Sequence, residues 1–300
     1  MTTIQTQQRM TDNGNGHQLS STWYRPNGAP RGAVLIASAM AVKQRFYSDF
    51  ARWLAARGFL VTTFDYLGTG DSRRVPLSRL KVDIIDWGRH DCTAMLAALA
   101  EAAGDIPLYW IGHSVGAQIL PLVEGHERLT RVITIAAGSG YWRENSPPTR
   151  RKAWLLWYGL APALTALAGY FPGDRIGAVG DLPAGVIRQW RRWCLHPDYL
   201  VGVEGEPMRK AFAVVRTPLT SLSFSDDEMM SARNTESLHG FYTGAPKIMR
   251  RIAPSEVGAN RIGHFGFFRE SFEPTLWSEQ LLPELEQHHQ GQAAAPAMAT

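Results

Sequence analysis

PLYWIGHSVGAQILPLV, residues 107–123, places the pattern Gly112-His-Ser114-Val-Gly116 between an apolar segment typical of a buried strand and a segment typical of a helix. A serine at such a sharp strand-to-helix turn has a strained backbone, and side chains two positions to either side would collide. Glycine on both flanks relieves that clash. The helix that follows directs main-chain N–H groups toward the serine, where they can hold a developing anion. The segment therefore predicts a nucleophilic serine at position 114.

Strand-like and helix-like segments alternate on both sides of this turn. Before and around it, the patterns predict strands at 33–38, 59–64, 107–111 and 131–137 and helices at 46–57, 86–103 and 115–123. Two further short strands are predicted in the first 30 residues, on either side of the turn TDNGNG. Alternation of this kind is typical of an α/β fold with a mostly parallel central sheet flanked by helices.

The alternation breaks at Tyr141 and resumes at Pro218. Beyond the break, strands are predicted at 218–224 and 247–252 and helices at 231–239 and 273–287. Between them the chain reads as helices separated by prolines and glycines. The sequence thus predicts a core built from residues 1–140 and 211–300, interrupted by a helical lid insertion of residues 141–210.

The predicted insertion has its own composition. Residues 141–200 hold eight basic and four acidic side chains, and five of the ten tryptophans of the chain. Tryptophans such as Trp154 and Trp157 would form an apolar wall. Either of two basic groups could meet an anionic end of a substrate, or these side chains could form a solvated face of a helix that packs on the core; the groups are Arg150, Arg151 and Lys152, or Arg188, Arg191 and Arg192. The sequence leaves both interpretations open.

A nucleophilic serine needs a base, and the base needs a carboxylate that orients it. In a fold of this kind these follow the serine in the order acid, then histidine. The strand-like segment 219–224 runs directly into Asp226 and Asp227, and His264 follows in a loop between Gly263 and Gly266. His264 is the histidine that combines this order with a tight, glycine-bracketed loop.

Several stretches together carry a resemblance to a known family. DYLGTGDS (65–72) resembles a D-x-x-G-x-G-x-S turn of that family, while DDEMM (226–230) and GHFGFFR (263–269) are similar to its acid and histidine loops. With the GHSVG turn, they make residues 15 to 288 resemble the α/β-hydrolase superfamily. The similarity is to its lidded serine hydrolases, which include monoglyceride lipases and serine-aminopeptidase-like proteins. The lid is the variable part of the family, and here it corresponds to the insertion.

The resemblance implies a role for each candidate site residue. Ser114 would be the nucleophile, His264 the general base and Asp227 the acid that orients it. Asp227 is preferred because family acids usually precede an x-apolar pair, and Asp226 is the alternative. The main-chain N–H groups of Met40 and Val115 would bind the oxyanion. One departure bears on the last point, because many members carry His-Gly ahead of this loop and Ser38-Ala39 stands here.

Composition narrows the class of protein. The 300 residues are 45% hydrophobic and 19% charged, with a formal net charge of +4, which excludes intrinsic disorder for most of the chain. No apolar run reaches the roughly 18 residues of a transmembrane helix. The N-terminus MTTIQTQQRM lacks the apolar stretch of a signal peptide, so the cytoplasm is the expected location. Cys92 and Cys194 cannot build a disulfide framework and are expected to be buried, unreactive thiols.

The sequence gives no indication of a cofactor, a metal or nucleic acid. Gly68-Thr-Gly70 has Arg73 where a dinucleotide-binding pattern needs its third glycine, and neither a P-loop nor a zinc motif is present. His288 and His289 lack other ligands at metal-binding spacing, so a solvated tail is expected there. We therefore expect no cofactor, no metal, no nucleic acid and no stable membrane insertion. The oligomeric state stays open.

Three functions are compatible with these residues. The favoured one is hydrolysis of an ester-like bond in a small-molecule acyl substrate, through a Ser-His-Asp triad and an acyl-enzyme. The second is acyl transfer by the same triad to an acceptor other than water. The third is a catalytically silent binding protein with the same fold, against which the intact order of serine, aspartate and histidine argues.

Overall fold

A computed structural model describes residues 4–286, and its centre is an eight-stranded sheet. The strands of this sheet, together with the separate pair β7 and β8, are β1 (Gln5–Asp12), β2 (Gln18–Arg25), β3 (Gly32–Ala37), β4 (Phe59–Phe64), β5 (Leu108–His113), β6 (Arg131–Ile135), β7 (Tyr170–Pro172), β8 (Asp181–Pro183), β9 (Leu219–Phe224) and β10 (Lys247–Ile252). The order across the large sheet is β1-β2-β4-β3-β5-β6-β9-β10, and β7 pairs with β8 separately.

Six of these strands form a parallel sheet, and an antiparallel hairpin extends it at one edge. The strands from β4 through β10 in the sheet order pair in parallel, whereas β1 with β2 and β2 with β4 pair antiparallel. The hairpin turns at the predicted TDNGNG segment. The mostly parallel sheet predicted from the alternation of segments is confirmed.

Helices fill the connections between the strands. They are α1 (Ser48–Ala56), α2 (Ile84–Asp86), α3 (Thr93–Ala103), α4 (Val115–Gln118), α5 (Pro147–Leu155), α6 (Ala161–Ala168), α7 (Ala184–Leu195), α8 (Tyr199–Glu204), α9 (Glu206–Val214) and α10 (Ala232–Gly240). Wider π-helical segments at Trp87–Cys92 and Leu156–Leu160 join α2 to α3 and α5 to α6, and a third, Glu273–Leu281, begins the last helix. Outside residues 141–210, the order of the predicted strands and helices matches the observed one.

The sheet has a hydrophobic core on each face, as strands that are buried on both sides require. Along β3, Ala33 and Leu35 point into one core, whereas Val34 and Ile36 point into the other. Helix α3 covers the first face, and α1 with the C-terminal helix covers the second. Because successive side chains of a strand point to opposite faces, a continuous apolar run satisfies both cores at once.

The insertion, residues 141–210, lies between β6 and β9 in the chain and contains more than helices. Its helices α5 to α9 are interrupted by the antiparallel ribbon of β7 and β8, which the sequence analysis treated as helical. The ribbon has three residues in each strand, too few for an alternating pattern to be recognised. Helix α9 also continues to Val214, four residues beyond the predicted boundary.

Two further predictions concern membrane insertion and the C-terminal tail. Within residues 4–286 no helix is both long and apolar enough to cross a membrane. The tail predicted from His288 to Thr300, with its histidine pair, lies outside the described residues.

Candidate active site

Ser114 occupies the turn between β5 and α4 with a strained backbone. Its φ is +52°, in the left-handed region that residues other than glycine rarely adopt. Strain of this kind persists only where the surrounding structure enforces it, and it concentrates at functional sites. The side chain of Ser114 makes no hydrogen bond to any residue in the described range, and it lines a cavity.

The glycines that flank this serine are required by close packing. A Cβ at Gly116 would overlap the carbonyl group of Ala37 at the end of β3. A Cβ at Gly112 would stand 2.7 Å from the backbone of Ala117, which is shorter than real contacts allow. The steric reason given for the G-x-S-x-G pattern is therefore confirmed at both positions.

His264 and Asp227 form a buried hydrogen-bonded pair at the same cavity. His264 Nδ1 lies 2.8 Å from Asp227 Oδ2, and both side chains are 1% exposed. The other carboxylate oxygen of Asp227 accepts from the main-chain N–H groups of Met229 and Met230, at 2.7 and 2.8 Å. These bonds fix the carboxylate, and the carboxylate fixes the ring with Nδ1 engaged, so Nε2 is the nitrogen left for a substrate or a nucleophile.

Asp226, the alternative acid, has a different position. Its carboxylate accepts from the main-chain N–H groups of Ile262 and Gly263, at 2.8 and 3.1 Å. It therefore shapes the loop that carries His264 without a bond to the imidazole ring. Of the two neighbouring aspartates, the structure brings Asp227 to the histidine.

The main-chain N–H groups of Met40 and Val115 are both available at the cavity. Both residues line it, and within residues 4–286 neither N–H group donates to an acceptor. The loop that carries Met40 is closed by a hydrogen bond of 3.1 Å from Val42 N to the carbonyl of Ala39. Ala41 takes a φ of +58° inside this turn, a conformation for which glycine would be the usual choice.

A buried chain of hydrogen bonds connects this loop to the histidine loop. The N–H of Ala39 donates to Tyr47 Oη at 2.9 Å, Tyr47 Oη lies 2.9 Å from His113 Nδ1, and His113 Nε2 lies 3.0 Å from the carbonyl oxygen of His264. A carbonyl oxygen can only accept, so His113 Nε2 carries the proton. Nδ1 of the neutral ring then accepts from the Tyr47 hydroxyl.

The electrostatics of the chain agree with that assignment. Burial, and to a smaller extent the nearby His264 ring, lower the pKa of His113 well below its ordinary value, so the ring stays neutral. Burial likewise raises the pKa of the Tyr47 hydroxyl far above its ordinary value. The sequence predicts only a packing role for His113 in the turn, and no motif marks Tyr47. No sequence pattern connects Tyr47 with His113, 66 positions apart, or His113 with His264, 151 positions apart.

Tyr47→Phe is expected to lower kcat about 10- to 100-fold and to leave KM within about twofold, because displacement of reacting groups by about 1 Å has effects of this size. The phenyl ring still fills its space, but the Ala39 N–H and His113 Nδ1 lose their shared partner. Steady-state kinetics on a chromogenic ester would measure both constants. Tyr24→Phe is the matched control, since Tyr24 is also buried and bonds to Ser48 away from the cavity. Equal losses in both variants would contradict a positioning role for Tyr47.

The insertion supplies the opposite wall of the cavity. The cavity has a volume of about 260 Å³, with Met40, Ser114 and His264 on the core side and Val179 and Trp190 on the insertion side. A mostly apolar cavity of about 390 Å³ shares Val179 and Trp190 with it and extends into the insertion. An apolar group beside the serine can therefore reach space that the insertion encloses.

Hydrogen bonds also tie the insertion to the acid loop. At the start of α5, Ser146 Oγ donates to the carbonyl oxygen of Asp227 and Thr149 Oγ1 donates to that of Glu228, both at 2.6 Å. Asn145 Nδ2 donates to Met229 O at 3.2 Å. The position of the first insertion helix is thereby linked to the carboxylate that holds His264.

The arginines of α7 do not lie at this cavity. A separate cavity on the other side of the helix is lined by Arg188, Arg191 and Arg192. Among the residues that line the cavity at Ser114, Asp174 is the one with a carboxylate. An anionic end of a substrate at Ser114 would therefore face no arginine of α7. The interpretation in which Arg191 and Arg192 contact such a group is wrong. Helical periodicity could have shown this, because Trp190 and Cys194 share the opposite face of α7.

The two cysteines are buried as expected, and burial raises the pKa of both thiols well above the ordinary value. Cys194 contributes to the wall of the apolar cavity in the insertion. Among the described residues, no cluster of three or more histidine, cysteine, aspartate or glutamate side chains has the geometry to hold a metal ion.

Sheet order and serine position together define a class. Parallel strands in the order 4-3-5-6-9-10, with a left-handed serine directly after the fifth strand, are the arrangement of the α/β-hydrolase fold. The chain has the α/β-hydrolase fold, which solved structures similar to it share.

Comparisons with known proteins agree with this class. The family model for serine aminopeptidase, S33, matches residues 28–170. Monoglyceride lipase of Mus musculus is 26% identical over 113 residues, which are 37% of this chain and 36% of the mouse protein. The matched part thus spans about a third of that curated relative.

Solved structures resemble the chain over most of its length. A soluble variant of monoglyceride lipase from Saccharomyces cerevisiae, in complex with a substrate analogue, has a TM-score of 0.57 at 17% identity, with 84% of this chain and 86% of that chain covered. A 2-hydroxy-6-oxo-6-phenylhexa-2,4-dienoate hydrolase from a Rhodococcus species has a TM-score of 0.57 at 14% identity, with 96% and 100% covered. At these identities the likeness concerns the fold.

Proposed function

We propose that the protein is a serine hydrolase that cleaves an ester-like acyl bond of a small molecule. The observation that carries the proposal is the buried hydrogen bond of 2.8 Å between His264 Nδ1 and Asp227 Oδ2, at a cavity that the strained Ser114 also lines. A carboxylate that fixes the tautomer of a histidine beside a serine is the constellation that nucleophilic acyl transfer needs. The matched mouse and yeast monoglyceride lipases are consistent with ester chemistry.

The proposed reaction has two steps. In the first, His264 Nε2 takes the proton of Ser114 Oγ as this oxygen attacks the acyl carbonyl. Asp227 stabilises the imidazolium that forms, and the leaving alcohol departs with the proton from His264. In the second step His264 takes a proton from water as the water oxygen attacks the acyl-serine. His264 then returns this proton to Ser114 Oγ as the ester bond breaks and the acid product leaves. The balance requires only water, so the mechanism uses no cofactor.

Main-chain donors would stabilise the negative charge that develops in both steps. The Met40 and Val115 N–H groups have no other acceptor in the described part of the chain, and they are the proposed oxyanion hole. One such donor is typically worth 10² to 10³ in kcat. The Ala39–Tyr47 hydrogen bond fixes the loop that carries Met40, so the loss of the family glycine is offset by a side-chain anchor.

Residues 141–210 are the proposed lid. They form the wall opposite Ser114 and enclose the apolar cavity of about 390 Å³, which would hold the apolar part of the substrate. A cover that excludes water strengthens the electrostatic interactions at the oxyanion hole. The lining of this cavity is mostly apolar, with Lys152 and Glu228 as its charged residues, so an apolar acyl or alkyl group of the substrate fits it.

Two alternatives use the same fold. An acyltransferase would pass the acyl group from Ser114 to an acceptor alcohol or amine, and a silent binding protein would hold a ligand without chemistry. The unbonded Ser114 side chain beside a fixed His264–Asp227 pair favours a reactive serine over the silent protein.

A fluorophosphonate probe followed by a substrate panel tests the proposal. We expect one covalent label for each chain, and turnover of at least one of the p-nitrophenyl ester, acyl-thioester and aminoacyl-anilide series. Addition of glycerol or an amine separates hydrolysis from transfer, since a transferase makes the acylated acceptor in preference to free acid. A protein that takes no label and turns over none of these series would contradict the proposal.

A further inference from the structure

We infer that the outer face of α7 is a binding site for an organic phosphate monoester, distinct from the cavity at Ser114. The site is a cavity of about 350 Å³ between α6 and α7, and it includes Arg188, Arg191 and Arg192. It shares no lining residue with the cavity around the serine. The inference does not depend on the proposed hydrolase activity.

Three arginines line this cavity, and no carboxylate lies among its other lining residues. Arg188, Arg191 and Arg192 stand at positions i, i+3 and i+4 of α7, so they share one face of the helix, where like charges repel. No acidic residue lines the cavity. An anion held between the three arginines would relieve the repulsion.

The other contacts of these arginines leave their donors available. Arg188 forms no ion pair or hydrogen bond with any residue in the described range, although Asp83 and Asp86 line the neighbouring cavity that it also touches. Arg191 donates through Nε to the carbonyl of Trp157, which fixes the guanidinium and leaves both terminal nitrogens unbonded.

Of the three arginines, Arg192 is the one that forms an ion pair with a described residue. Its guanidinium lies 3.9 Å from Glu204 Oε1, and that oxygen already accepts from Trp193 Nε1 at 2.7 Å. The pair is long and partly exposed, so it contributes little to stability and does not occupy the donors of Arg192.

A buried hydroxyl in the same cavity is an independent indication of a ligand. Thr165, on α6, is 2% exposed, and its Oγ1 has no hydrogen-bond partner. A buried hydroxyl without a partner is costly, and most such groups in proteins are satisfied. Thr165 lines the cavity, and a phosphate oxygen that reached its hydroxyl would accept from it.

The composition of the walls indicates the kind of anion. One planar guanidinium group can donate two parallel hydrogen bonds to two oxygens of a phosphate. Three such groups complement the double negative charge of a phosphate better than the single charge of a carboxylate. Pro162 and Ile187 provide an apolar surface beside the arginines. A phosphate monoester with a small apolar substituent satisfies both features, whether it is a soluble metabolite or the headgroup of an anionic lipid.

Isothermal titration of the protein with butyl phosphate and with inorganic phosphate at low ionic strength tests the site. We expect saturable binding of butyl phosphate, tighter than that of inorganic phosphate because of the apolar wall, and weaker binding as salt is added. The double variant Arg188→Gln/Arg192→Gln should raise the Kd for butyl phosphate at least about tenfold, since charge-assisted hydrogen bonds are lost. Thr165→Val should raise it about threefold or more.

The matched control is Arg150→Gln/Arg151→Gln, which removes the same charge from α5 outside the cavity. Its Kd should stay within about twofold of the wild-type value. An equal loss in both double variants, or no saturable binding of butyl phosphate, would overturn the inference. Flotation with phosphatidylcholine vesicles, with and without phosphatidic acid, separates the two sources. Vesicle binding that needs phosphatidic acid and Arg188 identifies a lipid headgroup, and butyl phosphate binding alone identifies a soluble ligand.

Discussion

Ser114→Ala is expected to take no fluorophosphonate label and to lower kcat by about 10⁶, the size of effect seen when a triad serine is removed. The reason is that Ser114 carries the one hydroxyl group among the residues that line the cavity, so without it water must attack the substrate directly. His264→Ala should have an effect of similar size on the same ester, because triad members act as a unit and their losses do not add. Intact-mass analysis after labelling and steady-state kinetics give the two measurements.

Two matched controls separate loss of chemistry from loss of fold. Ser48→Ala removes a serine whose hydroxyl accepts from Tyr24, away from the cavity, and should be labelled like the wild type. His239→Ala removes a buried histidine that bonds to Thr134 and Thr235. Burial lowers the pKa of His239 to about 4, so it is neutral at neutral pH and its loss should reduce stability more than kcat. Persistent labelling of Ser114→Ala at the wild-type rate would show that the reactive serine lies elsewhere.

Asp227→Asn is expected to lower kcat about 10⁴-fold, while Asp226→Asn costs about tenfold or less. An amide at position 227 can donate to His264 Nδ1, which favours the tautomer with its proton on Nε2, so the ring can no longer accept from Ser114. At position 226 the carboxylate holds two main-chain N–H groups, and the carbonyl oxygen of an asparagine can still accept from them.

The ranking of these two variants is the informative result. Kinetics on one ester, together with urea unfolding of each variant, would provide it. If Asp226→Asn were the more damaging substitution while both proteins stayed folded, the assignment of the acid would have to move by one residue.

The linear order of residues was sufficient for much of the fold. Apolar runs of five or six residues at 33–38, 59–64 and 107–111 predicted buried parallel strands, and each forms one. Such runs are informative because a strand between two cores needs an apolar side chain on both faces. The turn at Ser114 was equally local, since its glycines are required by contacts within a few residues of the serine and with the neighbouring strand.

The meeting of His264 with Asp227 depended partly on the sequence and partly on the fold. The order of serine, aspartate and histidine placed Ser114 after β5, Asp227 after β9 and His264 in the loop that follows β10, all beyond the carboxyl ends of parallel strands. Which of two adjacent aspartates meets the ring depends on the direction of each side chain, and the motif only favoured position 227. The hydrogen bonds from Met229 and Met230 settle that direction, because they hold one carboxylate oxygen away from the ring.

By itself, then, the sequence determined the α/β alternation and the strained serine, because each depends on periodicity or on contacts between near neighbours. The tertiary structure alone decided the chain from Ala39 through Tyr47 and His113 to His264, which joins segments that have no common pattern. It also decided that the α7 arginines face away from Ser114, since a helix can turn either face to the core and the burial of Trp190 and Cys194 chose one. Long-range packing fixes such choices because free energy depends on which surfaces meet, and that information is not contained in any one segment.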